Sequence, residues 1–139
     1  MSVLKGFLQP SPTLQTKEVV ISERFKGEDG KVLPFKIKVI DQDENDRLIN
    51  SSMSTKRQKN GQVTKELNST LYSRRLVLAC VVTPDLRDSE LCEYYKCIDP
   101  LDVPGKMLSS GEYSTLIDAI NELNGFNDEG VVEKKKKNS

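Results

Sequence analysis

The sequence predicts a small α+β domain, an N-terminal β-hairpin followed by a bundle of about four helices, with helix dominating. Three observations carry that expectation. Val32–Ile40 alternates Phe35, Ile37 and Val39 with Lys36 and Lys38, the period of a half-buried strand. Asn68–Pro84 and Ser109–Gly125 instead repeat apolar residues at helical spacing. No segment repeats another, and 139 residues suit one domain with a real core.

Residues 1–16, with Pro10 and Pro12 among small polar residues, read as a flexible arm. The globular domain is expected over 17–126. Its first strand falls in Lys17–Phe25, around the β-branched Val19, Val20 and Ile21. Asp29-Gly30 tolerates positive φ and turns the chain into the second strand, which Pro34 confines to a start or an edge. At Asp41 the period changes: Asp41 or Asp43 can cap a helix bearing Leu48, Ile49 and Met53. The polar stretch 54–67 holds Asn60-Gly61 and reads as a turn or mobile loop.

The next helix runs from Asn68 to Pro84, with Leu71, Arg75, Leu78 and Val82 on one face and Leu76, Ala79 and Cys80 widening it. So broad an apolar face marks the most buried helix of the domain. Asp88 caps a shorter helix carrying Leu91, Tyr94 and Tyr95, and a single turn or connector surrounds Pro104. In the last helix Ser109 and Glu112 form a capping box, Tyr113, Leu116, Ile117, Ile120 and Leu123 form the stripe, and Gly125 stands at the C′ position. Residues 127–139 read as a disordered lysine-rich tail.

Composition narrows the chemistry. Hydrophobic residues make up 36% and charged residues 30%, and the 21 basic residues balance the 21 acidic ones. Without Lys134, Lys135, Lys136 and Lys137 the body is acidic, about −4, unlike a nucleic-acid reader. The amino terminus lacks the apolar run of a signal peptide and no segment approaches a membrane span, so residence in the cytoplasm is expected. Histidine is absent, which removes the commonest general base and metal ligand. No phosphate loop or dinucleotide fingerprint is present, so no enzyme, cofactor or catalytic residue is expected.

Two metal readings fail on their own requirements. Asp41, Asp43 and Asn45 match the opening of a calcium loop, but Asp46 stands where glycine is needed and Ser52 where glutamate is needed. Cys92 and Cys97 are spaced like a zinc pair, yet a structural site needs four ligands, and only Cys80 and a carboxylate such as Asp99 could complete it. Buried, inert thiols are the simpler reading. The lysine run can contact a phosphate backbone or an anionic membrane weakly, or it is a solvated tail.

Three stretches in order, ISERFKGEDGKVLPFKIKVI, LVLACVVTPDLRDSEL and DPLDVPGKMLSSGEYSTLIDAINELNGF, resemble the tail assembly chaperone of PBSX-type prophages and related long-tailed phages of Gram-positive bacteria. The resemblance runs from about Leu4 to Phe126. It implies a non-enzymatic α+β protein of the bacterial host cytoplasm, absent from the mature virion. It also implies that the protein holds the tape measure protein soluble, helps recruit tail tube subunits and self-associates. Such a chaperone must present apolar surface to its client. On apolar type alone, Leu48, Ile49, Met53, Tyr94, Tyr95 and Tyr113 are the candidates for a client and self-association surface.

The family also implies two product lengths, made by programmed −1 frameshifting. Lys134, Lys135, Lys136, Lys137 and Asn138 are the translation expected of a slippery A-AAA-AAN run. The longer product would carry the segment that binds the tail tube protein. Two competing readings remain. One is a nucleic-acid-binding accessory protein that uses the lysine tail, the other a metal-stabilised regulatory module built on the cysteines.

Overall fold

The computed structural model describes residues 3–12 and 15–126. The chain opens with a short helix, α1 (Val3–Leu8), none of whose side chains is buried. β1 (Thr16–Val19) and β2 (Phe35–Lys38) then pair antiparallel, from Thr16 opposite Lys38 to Val19 opposite Phe35. Within their connection Gly30 takes φ 79°, where a side chain would be strained, and its N–H reaches the Gly27 carbonyl at 2.9 Å. In β2, Phe35 and Ile37 are buried while Lys36 faces solvent, the alternation its sequence shows.

α2 (Gln42–Ser51) is capped by Asp41, whose Oδ1 accepts the Glu44 N–H at 2.8 Å. β3 (Met53–Arg57) and β4 (Val63–Leu67) form a separate hairpin with no buried residue. Buried Ser52 donates to the Leu48 carbonyl at 2.7 Å, and its own carbonyl accepts the Asn68 N–H at 2.9 Å. That pair of bonds fastens the hairpin's base to α2 and to α3 (Ser69–Cys80), itself capped by the Asn68 side chain.

β5 (Val81–Thr83) follows directly and pairs antiparallel with the free side of β2, giving the sheet order β1-β2-β5. α4 (Ser89–Tyr94) is capped by Asp88, and a 3₁₀ turn at Pro100–Asp102 leads into α5 (Val103–Met107). α6 (Ser110–Asn124) carries the capping box of Ser109 with Glu112 and ends at Gly125 with φ 72°.

This layout corrects the expected helix-dominated bundle behind a single N-terminal hairpin. Among the described residues, five strands form two sheets beside six α-helices. Two stretches make the difference. α3 stops at Cys80 rather than at Pro84, because Val81, Val82 and Thr83 are β-branched and precede proline, which disfavours helical backbone. The polar stretch read as a turn or mobile loop is the β3–β4 hairpin, with Asn60 and Gly61 at its tip and Gly61 at φ 86°.

One core joins these parts. β2 contributes Phe35 and Ile37, α3 Leu76, Val77, Leu78 and Cys80, α5 Val103 and Met107, and α6 Leu116 and Ile120. Burying each large apolar side chain contributes about 1.5–3 kcal/mol. α3 and α6 therefore anchor the domain, and the β3–β4 hairpin adds little to this core.

Candidate functional site

The position of α6 is fixed at both ends by polar contacts. At its start, Glu112 accepts two hydrogen bonds from Arg24, from Nε at 2.9 Å and from Nη2 at 2.5 Å. Arg24 Nη2 also donates to the Met107 carbonyl at 3.0 Å, and Glu112 accepts the Ser109 N–H at 2.8 Å. The Arg24 contact, supported by Ser22 and the Ser109 amide, holds the Glu112 carboxyl far below the usual carboxylate range. At the other end, Asn124 Oδ1 accepts the Ile40 N–H at 2.9 Å, while its Nδ2 donates to the Ile120 carbonyl at 2.9 Å.

The six sequence-derived surface residues lie on four elements or at their ends. Tyr94, at the end of α4, is 75% exposed, and its ring meets that of Tyr95 edge to face at 4.8 Å. Tyr95 is half-buried against the core. Met53 opens β3, opposite Leu67, and is only 37% exposed. Leu48 and Ile49 are half-buried in α2, with Leu48 packed on the core. Tyr113 is half-buried in α6, where its hydroxyl and that of Ser73 share a hydrogen bond at 2.6 Å. Only Tyr94 and Tyr95 are brought into direct ring contact. The run Lys134–Lys137 lies outside the described residues.

Further large apolar exposures lie elsewhere. Ile98 is fully exposed in the loop after α4. In α1, Val3, Leu4, Phe7 and Leu8 are each between 62% and 81% exposed. Their spacing at 3, 4, 7 and 8 was a readable helical signal, obscured by the brevity of the segment and the prolines after it. Beside β1 a groove of about 410 Å³ is lined by Phe25, Leu33, Pro34, Phe35, Pro84 and Met107. Phe25 forms part of its wall, with its ring 5.7 Å from that of Phe35 and the Arg24 guanidinium 4.9 Å above it.

The residues weighed as metal ligands do other work. Asp41 caps α2, and Asn45 accepts a hydrogen bond from the Tyr72 hydroxyl at 2.5 Å. Asp99 caps the 3₁₀ turn by accepting the Leu101 N–H at 3.0 Å. Cys80 is buried, and burial pushes its thiol up to about 12. Cys92 is buried and Cys97 half-buried, and all three cysteines are free thiols. Among the described residues, no three acids or cysteines gather in a way that could hold a metal ion. Nor, among them, is any helix long and apolar enough to cross a membrane.

The described residues leave apolar side chains open to solvent, and comparison with known proteins gives the class. Residues 4–136 match the phage XkdN-like tail assembly chaperone family, and the chain belongs to it. Among its relatives is the phage-like element PBSX protein XkdN of Bacillus subtilis strain 168, 34% identical over 89% of this chain and 86% of that protein. The uncharacterized protein YqbN of the same strain is 35% identical over 89% of this chain and 85% of its own length. The crystal structure of YqbN superposes with a TM-score of 0.69 at 33% identity, covering 86% of this chain and 94% of that one.

Proposed function

We propose that this chain acts during phage tail assembly by holding the tape measure protein soluble in the host cytoplasm while tail tube subunits are recruited around it, and that it leaves before the tail is finished. The single observation behind this reading is apolar surface left open on a member of the tail assembly chaperone family, with Tyr94 and Ile98 its most prominent points on the body. Such side chains cost solubility unless a partner covers them. Many weak apolar contacts along a long client add up when many copies bind.

Co-expression with the tape measure protein of the same phage or prophage provides the test. The client should move from the pellet to the supernatant and co-purify with this chain. A client that stays in the pellet at equal expression would overturn the reading.

The recruitment step is proposed to belong to a longer product made by −1 frameshifting over the codons of Lys134–Lys137 and Asn138. The coding sequence decides this directly. An unbroken A-AAA-AAN heptamer with an open −1 frame beyond it supports the two-product scheme, and AAG codons that interrupt the run sink it.

A further inference from the structure

We infer that one face of the β3–β4 hairpin is a docking surface for an acidic, amphipathic helical segment of a partner protein. Under the function proposed above, on which this step rests, the segment belongs to the tape measure protein.

The register divides the ribbon into two unlike faces. Side chains two apart along a strand share a face, and so do residues directly opposite each other. Ser54, Lys56, Thr64 and Glu66 therefore lie together, and they satisfy one another. Lys56 Nζ is 3.9 Å from Glu66 Oε1, and the Ser54 and Thr64 hydroxyls donate to the Glu66 and Lys56 carbonyls, each at 3.4 Å. The other face stacks three rows from base to tip: Met53 opposite Leu67, Thr55 opposite Lys65, and Arg57 opposite Val63. Among the described residues, neither Arg57 nor Lys65 has an ion-pair partner, and Met53, Val63 and Leu67 are all exposed.

Such a face gains from being covered. A two-stranded hairpin alone is marginally stable in water at best, and packing against a helix is one way to secure it. No residue of β3 or β4 is buried, so the body of the domain does not supply that cover.

Charge decides what can lie there. Residues 53–67 carry Lys56, Arg57, Lys59 and Lys65 against Glu66 alone, a net charge of +3 in a chain that is neutral overall. An acidic partner is attracted and a basic one repelled. A nucleic acid would meet the cations but leave Met53, Val63 and Leu67 uncovered, and no aromatic residue in 53–67 offers its bases a stacking platform.

Dimensions set the length of the segment. From the base row to the tip row the strand advances about 14 Å, which a helix covers in about nine residues. Two strands about 4.8 Å apart give a track about one helix wide. The matching helix carries apolar residues about two turns apart, over the Met53–Leu67 and Arg57–Val63 rows. Asp or Glu stands between them on the same side, above Lys65 and beside Arg57.

The full chain is titrated with overlapping synthetic peptides that cover the tape measure protein of the same phage or prophage, read by fluorescence anisotropy. Binding should concentrate on peptides with this acidic and apolar pattern, and it should weaken as salt rises. Arg57→Glu with Lys65→Glu should weaken those peptides about tenfold or more, since like charges then face each other. Replacing Asp and Glu of a bound peptide by Lys should restore its affinity for the charge-reversed chain and abolish it for the wild type. That exchange of preference could not come from a hairpin that had simply unfolded. The melting curve should stay unchanged, because these side chains lie outside the core.

Equal binding by the wild type and the charge-reversed chain would overturn the docking proposal and leave the chaperone reading intact. Preference for basic or uncharged peptides would do the same, as would no peptide binding while co-expressed client stays soluble. If charge reversal instead abolishes retention on DNA or on phosphatidylserine vesicles, or lowers the mass in light scattering, and leaves the peptides bound, the face serves a polyanion or a second copy and the proposal is rejected. If the wild type binds no peptide and leaves the client in the pellet, the chaperone reading falls and this docking site falls with it.

Discussion

Arg24 and Glu112, 88 residues apart in sequence, meet through two hydrogen bonds that pin the loop after β1 to the first turn of α6. Glu112 serves two purposes at once, since the same carboxylate closes the capping box on Ser109. Its folded pKa lies below its unfolded value, so its contribution to stability is full above the ordinary glutamate range near 4.3 and is lost as pH falls towards the folded value. Glu112→Gln should therefore lower the melting temperature by several degrees at pH 7. The gap from wild type should narrow as the pH drops from about 5 to 3. A gap independent of pH would show that charge plays no part.

At the other end of α6, Asn124→Leu should destabilise the domain by about 1–3 kcal/mol, because the Ile40 N–H loses its acceptor in a half-buried position. Urea denaturation measures this. A change below a few tenths of a kcal/mol would mean that water replaces the amide.

Core and surface substitutions should separate cleanly. Leu116 is fully buried, and Leu116→Ala should cost about 2–5 kcal/mol through the cavity it leaves. Ile98→Ser, on a fully exposed side chain, should stay within about 0.5 kcal/mol of wild type. If the chaperone proposal holds, Ile98→Ser with Tyr94→Ser should reduce recovery of soluble client while leaving the melting curve unchanged.

The thiols should differ in reactivity. With Cys80 buried and its pKa pushed up to about 12, it carries almost no thiolate at pH 8. Half-buried Cys97 should be alkylated first in the native protein, and Cys80 only on unfolding. Peptide mapping after timed iodoacetamide treatment reads the order.

Amide hydrogens of the β3–β4 hairpin should exchange faster than those of β2 and α3, because its ladder is solvent-exposed on both sides and carries no buried residue. Equal protection in residues 53–67 and 69–80 would contradict this.

How much of this was legible in the sequence follows from where apolar contrast exists. β2 and α6 were readable because Phe35, Ile37, Leu116 and Ile120 face a core while their neighbours face water. The β3–β4 hairpin has no buried face, so the alternation that betrays a strand is missing, and only Asn60-Gly61 marked the turn. β5 was masked because Val81 and Val82 extend the apolar pattern of α3, although three β-branched residues before Pro84 were a usable warning. The Arg24–Glu112 and Asn124–Ile40 ties were not readable at all, since polar residues far apart in sequence carry no period. Apolar residue type, on which the candidate surface rests, takes no account of packing. The core half covers Leu48 and Tyr113, whereas Ile98 and the apolar side of α1 are exposed.

Gly125 gives α6 a definite end. Its left-handed backbone ends α6, and the Phe126 N–H turns back to the Asn121 carbonyl at 2.8 Å, the last backbone bond among the described residues. The polar ties at both ends of α6 lie before that point. A change of frame over Lys134–Lys137, as proposed, would fall after every residue that makes these ties. Under that proposal two products of different length would carry the same α6, held by the same two ties.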